Sequence, residues 1–121
     1  MVSQGTHRLG IVAQEQHDFA AAEQWYRKSL AIKEKLGDAH SAATTLAMLG
    51  MLKGLQKDYV ASGAWLIKAA AVFIAAKDSQ LIKVTDQIFM RSYREAPPED
   101  QQKLEAMWRE AGLGELPSEA A

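Results

Sequence analysis

Residues 17–26 read HDFAAAEQWY, and residues 57–66 read KDYVASGAWL. Sliding the chain by forty positions aligns Leu9-Gly10 with Leu49-Gly50, Gln16 with Gln56, Asp18 with Asp58 and Phe19 with Tyr59. In the same register Ala21 meets Ala61, Trp25 meets Trp65, Lys28 meets Lys68, Ala31 meets Ala71 and Asp38 meets Asp78. A fixed period of this length constrains the fold more than any other feature of the chain. It is the signature of an array in which one supersecondary unit is stacked along an axis.

Each unit reads as two helices. Asp18 and Asp58 stand just before apolar-periodic stretches, where a carboxylate accepts hydrogen bonds from the first free amides of a helix. Asp38 and Asp78, with Ser41 and Ser79 nearby, mark the next starts. Proline is confined to Pro97, Pro98 and Pro117, and helix formers dominate the rest. The pattern predicts an all-α chain with helices near 2–16, 18–36, 40–56, 58–77, 79–95 and 99–111. Their short connections make sequential helices antiparallel. Leu9, Val12, Ala13 and Gln16 fall on one side of the first helix, where Gly10 permits close approach by its neighbour. Phe19, Ala22, Tyr26 and Leu30 recur at helical spacing on the second. Core packing accounts for Phe19, Tyr26 and Tyr59.

These residues resemble the tetratricopeptide repeat family. Leu9-Gly10, Phe19, Ala22, Tyr26 and Ser29 follow its order, and Leu49-Gly50, Tyr59, Ser62, Leu66 and Ala69 supply a second unit. A period of forty, with the extra length around AIKEKLGDAH, is similar to the longer variety found in kinesin light chains and bacterial multi-repeat proteins. The family's first-helix tryptophan and late proline are absent. The resemblance spans roughly residues 4–95. It implies a right-handed α-solenoid with units near 2–37 and 40–77, a half unit at 79–95, and a capping helix with its tail over 97–121.

Little in the chain points to chemistry. Its 121 residues suit one domain, and a formal net charge of −1 gives no reason to expect nucleic acid or an anionic membrane. Without cysteine there is no disulfide framework, thiolate nucleophile or Cys-based zinc site. The opening MVSQGTHRLG is not a secretory leader, so a cytoplasmic location is the default. His7, His17 and His40 lack metal-ligand spacing and read as surface or turn residues. Neither a nucleophile elbow nor a phosphate-binding glycine loop is present, and no cofactor is implied. Glu99 and Asp100 complement the dipole of a helix opening at Pro98. The expectation is therefore a non-enzymatic scaffold or adaptor.

Family resemblance implies a concave groove, lined by the first helix of each unit, that holds a partner's peptide or helix. Carried over, its positions are His7, Ile11 and Gln14, then Ala47, Met51 and Gly54, then Gln87, Arg91 and Arg94. Spacing at i, i+4 and i+7 puts each set on one helix face. Ile11 and Met51 offer apolar contact. Arg91 and Arg94, with Arg8, could hold an acidic residue or a C-terminal carboxylate. A solvated face is the simpler reading of the arginines.

The second unit has lost the charges of the first. Glu23, Gln24, Arg27, Lys33 and Glu34, read as an outward side, become Gly63, Ala64, Ile67, Phe73 and Ile74. From Tyr59 to Ala76 only Lys68 is charged. A membrane span is disfavoured, since Lys68 at mid-bilayer would cost about 2.5–3.5 kcal/mol. Something must cover the helix, and two candidates exist. The tail PPEDQQKLEAMWREAGLG forms an amphipathic helix with Leu104, Met107, Trp108 and Ala111 on one face, ending at Gly112 with Leu113 folded back. It would more naturally cover Ile82, Ile88 and Phe89. The other candidate is a second copy, docked on a self-association stripe of Gly63, Ile67, Ala70, Phe73 and Ile74 in a homodimer. Two units are short for such an array, and the chain reads equally as the tail end of a longer one.

Overall fold

A computed structural model describes the backbone of residues 2–117 and the side chains of residues 5–117, leaving 118–121 of the tail outside the described residues. Six helices follow one another: α1 Val2–Glu15, α2 Phe19–Lys35, α3 Ala39–Leu55, α4 Tyr59–Ala75, α5 Ser79–Glu95 and α6 Pro98–Glu110. Their ends lie within two residues of those read from the pattern. Among the described residues there are no strands. Consecutive helices pack against each other throughout, giving a solenoid of antiparallel pairs.

Four of the turns share one design. His17, Gly37, Lys57 and Lys77 adopt left-handed backbone, with φ of 61°, 74°, 64° and 57°. The aspartate that follows each sends its amide back to a carbonyl five residues earlier. These bonds run from Asp18 to Ala13 at 2.8 Å, Asp38 to Lys33 at 3.0 Å, Asp58 to Lys53 at 2.9 Å and Asp78 to Phe73 at 3.0 Å. Each carboxylate then accepts from the amide three residues on, at Ala21, Ser41, Ala61 and Leu81, at 3.1–3.4 Å. A single residue thus closes one helix and caps the next. The α5–α6 turn differs: Ala96 and Pro97 are extended and Pro98 opens α6 at its first position.

The core runs between the layers in three clusters. Ala13, Ala22, Tyr26, Leu49 and Leu52 join α1, α2 and α3. Ala43, Ala69 and Phe73 join α3 and α4, with Leu81 and Ile82 of α5 against them. Leu66, Phe89, Met90, Leu104 and Trp108 tie α4 and α5 to α6.

That last cluster shows what covers the apolar helix. Leu104 of α6 seats directly on Gly63, where any Cβ would run into its Cδ2 and stand 3.3 Å from Phe89 Cε2. Phe89 and Trp108 meet with ring centroids 4.5 Å apart. Gly112 is left-handed, Leu113 N–H donates to Trp108 O at 3.3 Å, and the Trp108 indole donates to Glu115 O at 3.0 Å. The tail therefore lies on α4 and α5 together rather than on α5 alone. Gly63 is the reason, since only a residue without a side chain admits Leu104 there. Ile82, expected under the tail, packs instead against Phe73.

The five positions read as a self-association stripe do not share an open face. Gly63, Ala70 and Phe73 are buried, Ile67 is half-buried against the α6 cluster, and only Ile74 is exposed, at 46%. Phe73 faces α3 and α5, because a helix buried between neighbours presents core residues on more than one side. Lys33 is likewise not outward. It is buried, and its Nζ donates to Thr45 Oγ1 at 2.9 Å and to Ser41 O at 3.3 Å.

Candidate functional site: the groove of the first helices

Two junctions along this side of the array, α1 against α3 and α3 against α5, carry equivalent residues forty apart, yet they are built differently. At α1–α3 side chains bridge the two helices. Tyr26 OH donates to Gln14 Oε1 at 2.9 Å, and Gln14 Nε2 donates to Met51 Sδ at 3.6 Å. Burial and the nearby Glu15 carboxylate push the Tyr26 phenol up to about 12. Ile11 packs inward against the Tyr26 cluster. His7 is not a surface or turn residue: it is half-buried, tilted against Tyr26, with Nδ1 3.3 Å from Thr45 Oγ1. Burial, and secondarily the Lys33 ammonium, hold its pKa below the ordinary histidine value. Burial also lowers Lys33, against the pull of Asp38.

At α3–α5 the equivalent of Gln14 is Gly54, and here a pocket of about 160 Å³ opens. Met51, Leu55, Tyr59 and Ile88 make its apolar walls, Ser92 its polar side, and Lys57, Arg91 and Glu95 its charged margin. A Cβ on Gly54 would meet Ser92 Oγ at 2.8 Å, so the glycine both empties the pocket and lets α5 approach. Ser92 is held by a hydroxyl pair with Ser62 at 2.9 Å, and Ser62 donates to Gly50 O at 2.7 Å. Arg91 Nε lies 3.7 Å from Glu95 Oε1, with most of its side chain in solvent. The left-handed turn at Lys57 directs the chain into α4, where Tyr59 follows.

Of the positions carried over, Met51, Gly54 and Arg91 meet in this pocket. His7, Ile11 and Gln14 take part in the bridged α1–α3 junction beside it. Ala47 packs inward against the Leu66 and Phe73 clusters. Gln87, Arg94 and Arg8 are exposed and lie outside the pocket lining, Arg8 at the outer margin of α1. Reasoning from the sequence missed Leu55, Lys57, Tyr59, Ile88, Ser92 and Glu95. Tyr59, expected in the core, packs on the α6 cluster and also walls the pocket. The available signal was the change from Gln14 to Gly54 across the repeat, which removes the side chain that bridges the first junction.

On the opposite side of the array ion pairs join α2 to α3 and cations lie over Trp25 and Trp65. Glu23 accepts from Lys53 at 2.7 Å and Arg27 at 2.8 Å, and the Lys53 bond above all holds its carboxyl below the usual range. Arg27 lies 5.3 Å over Trp65. A second, more open depression of about 330 Å³ sits at the other end of the helices, lined by Glu34, Gly37, Ala39, Ala42, Leu46 and Val72. It offers no cationic side chain and one carboxylate. Among the described residues no three His, Asp or Glu side chains converge to hold a metal, and no helix is long and apolar enough to cross a membrane.

Residues 2–80 match the tetratricopeptide repeat family, a span that takes in α1 to α4 and the start of α5. No curated protein and no solved structure matches the chain.

Proposed function

Since the chain belongs to the tetratricopeptide repeat family, whose members generally mediate protein–protein interaction, we propose that it is a non-catalytic scaffold holding a partner's peptide along α1, α3 and α5, anchored at α3–α5. The observation that carries this reading is the pocket left by Gly54. Small-molecule sites occupy about 300–1,000 Å³. A volume of about 160 Å³ suits instead one apolar side chain of a longer ligand. Met51 supports that role, because a thioether adapts its shape to varied partners. Arg91 and Lys57 at the margin favour a ligand with an acidic group beside its apolar anchor.

The test is selection of binding peptides from a random library on the full chain, followed by affinity measurements on Leu55→Asp and Arg91→Glu. Leu55 is 44% exposed and the Arg91 side chain 70%, so neither change disturbs the core. Each should weaken binding by about tenfold or more, the scale of a central interface contact. Selected peptides that bind both variants as tightly as the parent would overturn the proposal.

A further inference from the structure

Among the described residues, the outer face of α1 has no helix over it of the kind that covers α3 and α5. In α3, Thr45, Leu49 and Leu52 are fully buried, and α2 is the helix that covers them, through Lys33, Ala22 and Tyr26. In α5, Thr85, Phe89 and Ser92 are buried under α4, with Ser62 on Ser92. The forty-residue equivalents on α1 are Gly5, Leu9 and Val12. All three are exposed, Leu9 at 45% and Val12 at 47%. Among the described residues, nothing covers this apolar strip.

We propose that the outer face of α1 is a self-association surface, on which a second copy of the chain lays its own α1 antiparallel across a two-fold axis. At the far end α6 packs on α4 and α5 and turns Gln102, Lys103, Arg109 and Glu110 to solvent. Head-to-tail stacking of copies would set the apolar strip against this polar face of α6, whereas head-to-head joins two apolar strips. Charge complements that arrangement. Arg8 and Glu15, seven residues apart, flank the strip on one side of α1 and are both exposed. A two-fold axis perpendicular to an antiparallel helix pair brings like flanks together. With the axis near residue 10, Leu9 meets Val12 of the second copy, and Arg8 comes within reach of that copy's Glu15. The contact then carries two symmetric ion pairs around an apolar centre, and Gly5 permits close approach.

Sedimentation equilibrium on the full chain tests this. One helix pair is small for an interface, so the mass should climb from monomer to dimer with a Kd between about 10 μM and 1 mM. Leu9→Glu and Val12→Glu, at positions already exposed in the monomer, should keep their helical circular dichroism and weaken association at least about tenfold. Arg8→Glu should also weaken it, and adding Glu15→Arg should restore it. Ile74→Glu, at an exposed site on α4, should change nothing. A monomer at every concentration, a dimer indifferent to Leu9→Glu, a dimer broken by Ile74→Glu, or a charge swap without rescue would each overturn the proposal.

Discussion

Docking of α6 on α4 rests on a single missing side chain, and a double-mutant cycle at Gly63 and Leu104 measures it. Leu104 is fully buried, so Leu104→Ala leaves a cavity and should cost about 2–5 kcal/mol. Gly63→Ala gains about 1 kcal/mol of helix propensity. Its new methyl collides with Leu104 Cδ2, however, and overpacking of this kind costs about 1–3 kcal/mol. Alone, then, Gly63→Ala should be neutral to moderately destabilising. In the double variant the colliding atom is gone, the methyl occupies part of the vacated volume, and the propensity gain is kept. The remaining neighbour, Phe89 Cε2 at 3.3 Å, needs only a small shift. Urea unfolding of all four proteins should therefore show the double variant at least about 1 kcal/mol more stable than the sum of the singles predicts. Additivity within about 0.5 kcal/mol would refute the docking described here.

Other perturbations follow from the same contacts. Lys77 holds φ of 57°, so Lys77→Gly should relieve left-handed strain and raise stability by about 1 kcal/mol in urea unfolding. Lys33→Met removes a buried ammonium with no carboxylate bonded to it, where the second unit carries Phe73. It should be stabilising by about 1–2 kcal/mol at neutral pH. Because the folded Lys33 pKa lies below 10.5, the parent should close that gap as pH rises towards 10.5. Since the folded His7 pKa lies below 6.5, the unfolded chain binds more protons just under 6.5. Thermal stability should accordingly fall as pH drops through 6.5 and level off below the folded value, and His7→Gln should remove that step.

Much of the fold was legible because its signals are local. An aspartate every twenty residues marks each helix start from α2 to α5, and the forty-residue register pairs the helices. What was not legible depends on neighbours in space. Lys33 reads as a surface cation until Thr45 and Ser41 O are seen to receive it. Gly63 reads as a small residue in an interface with another copy, when it is the seat of Leu104. The groove positions divide: Met51, Gly54 and Arg91 meet at the pocket, whereas Ala47 packs inward and Gln87 and Arg94 lie outside the pocket lining. The exchange of Gln14 for Gly54 takes a bridging side chain out of the second junction, and that effect appears only once Met51 and Ser92 are placed around it.

The most direct test of the groove reading is to map where a selected peptide sits. Backbone amide shifts of the isotope-labelled chain, recorded by NMR during titration with such a peptide, report the site residue by residue. The largest changes are expected at Met51, Gly54, Tyr59, Arg91 and Ser92. Changes concentrated instead around Trp25 and Trp65 on the opposite side, with the pocket silent, would contradict it.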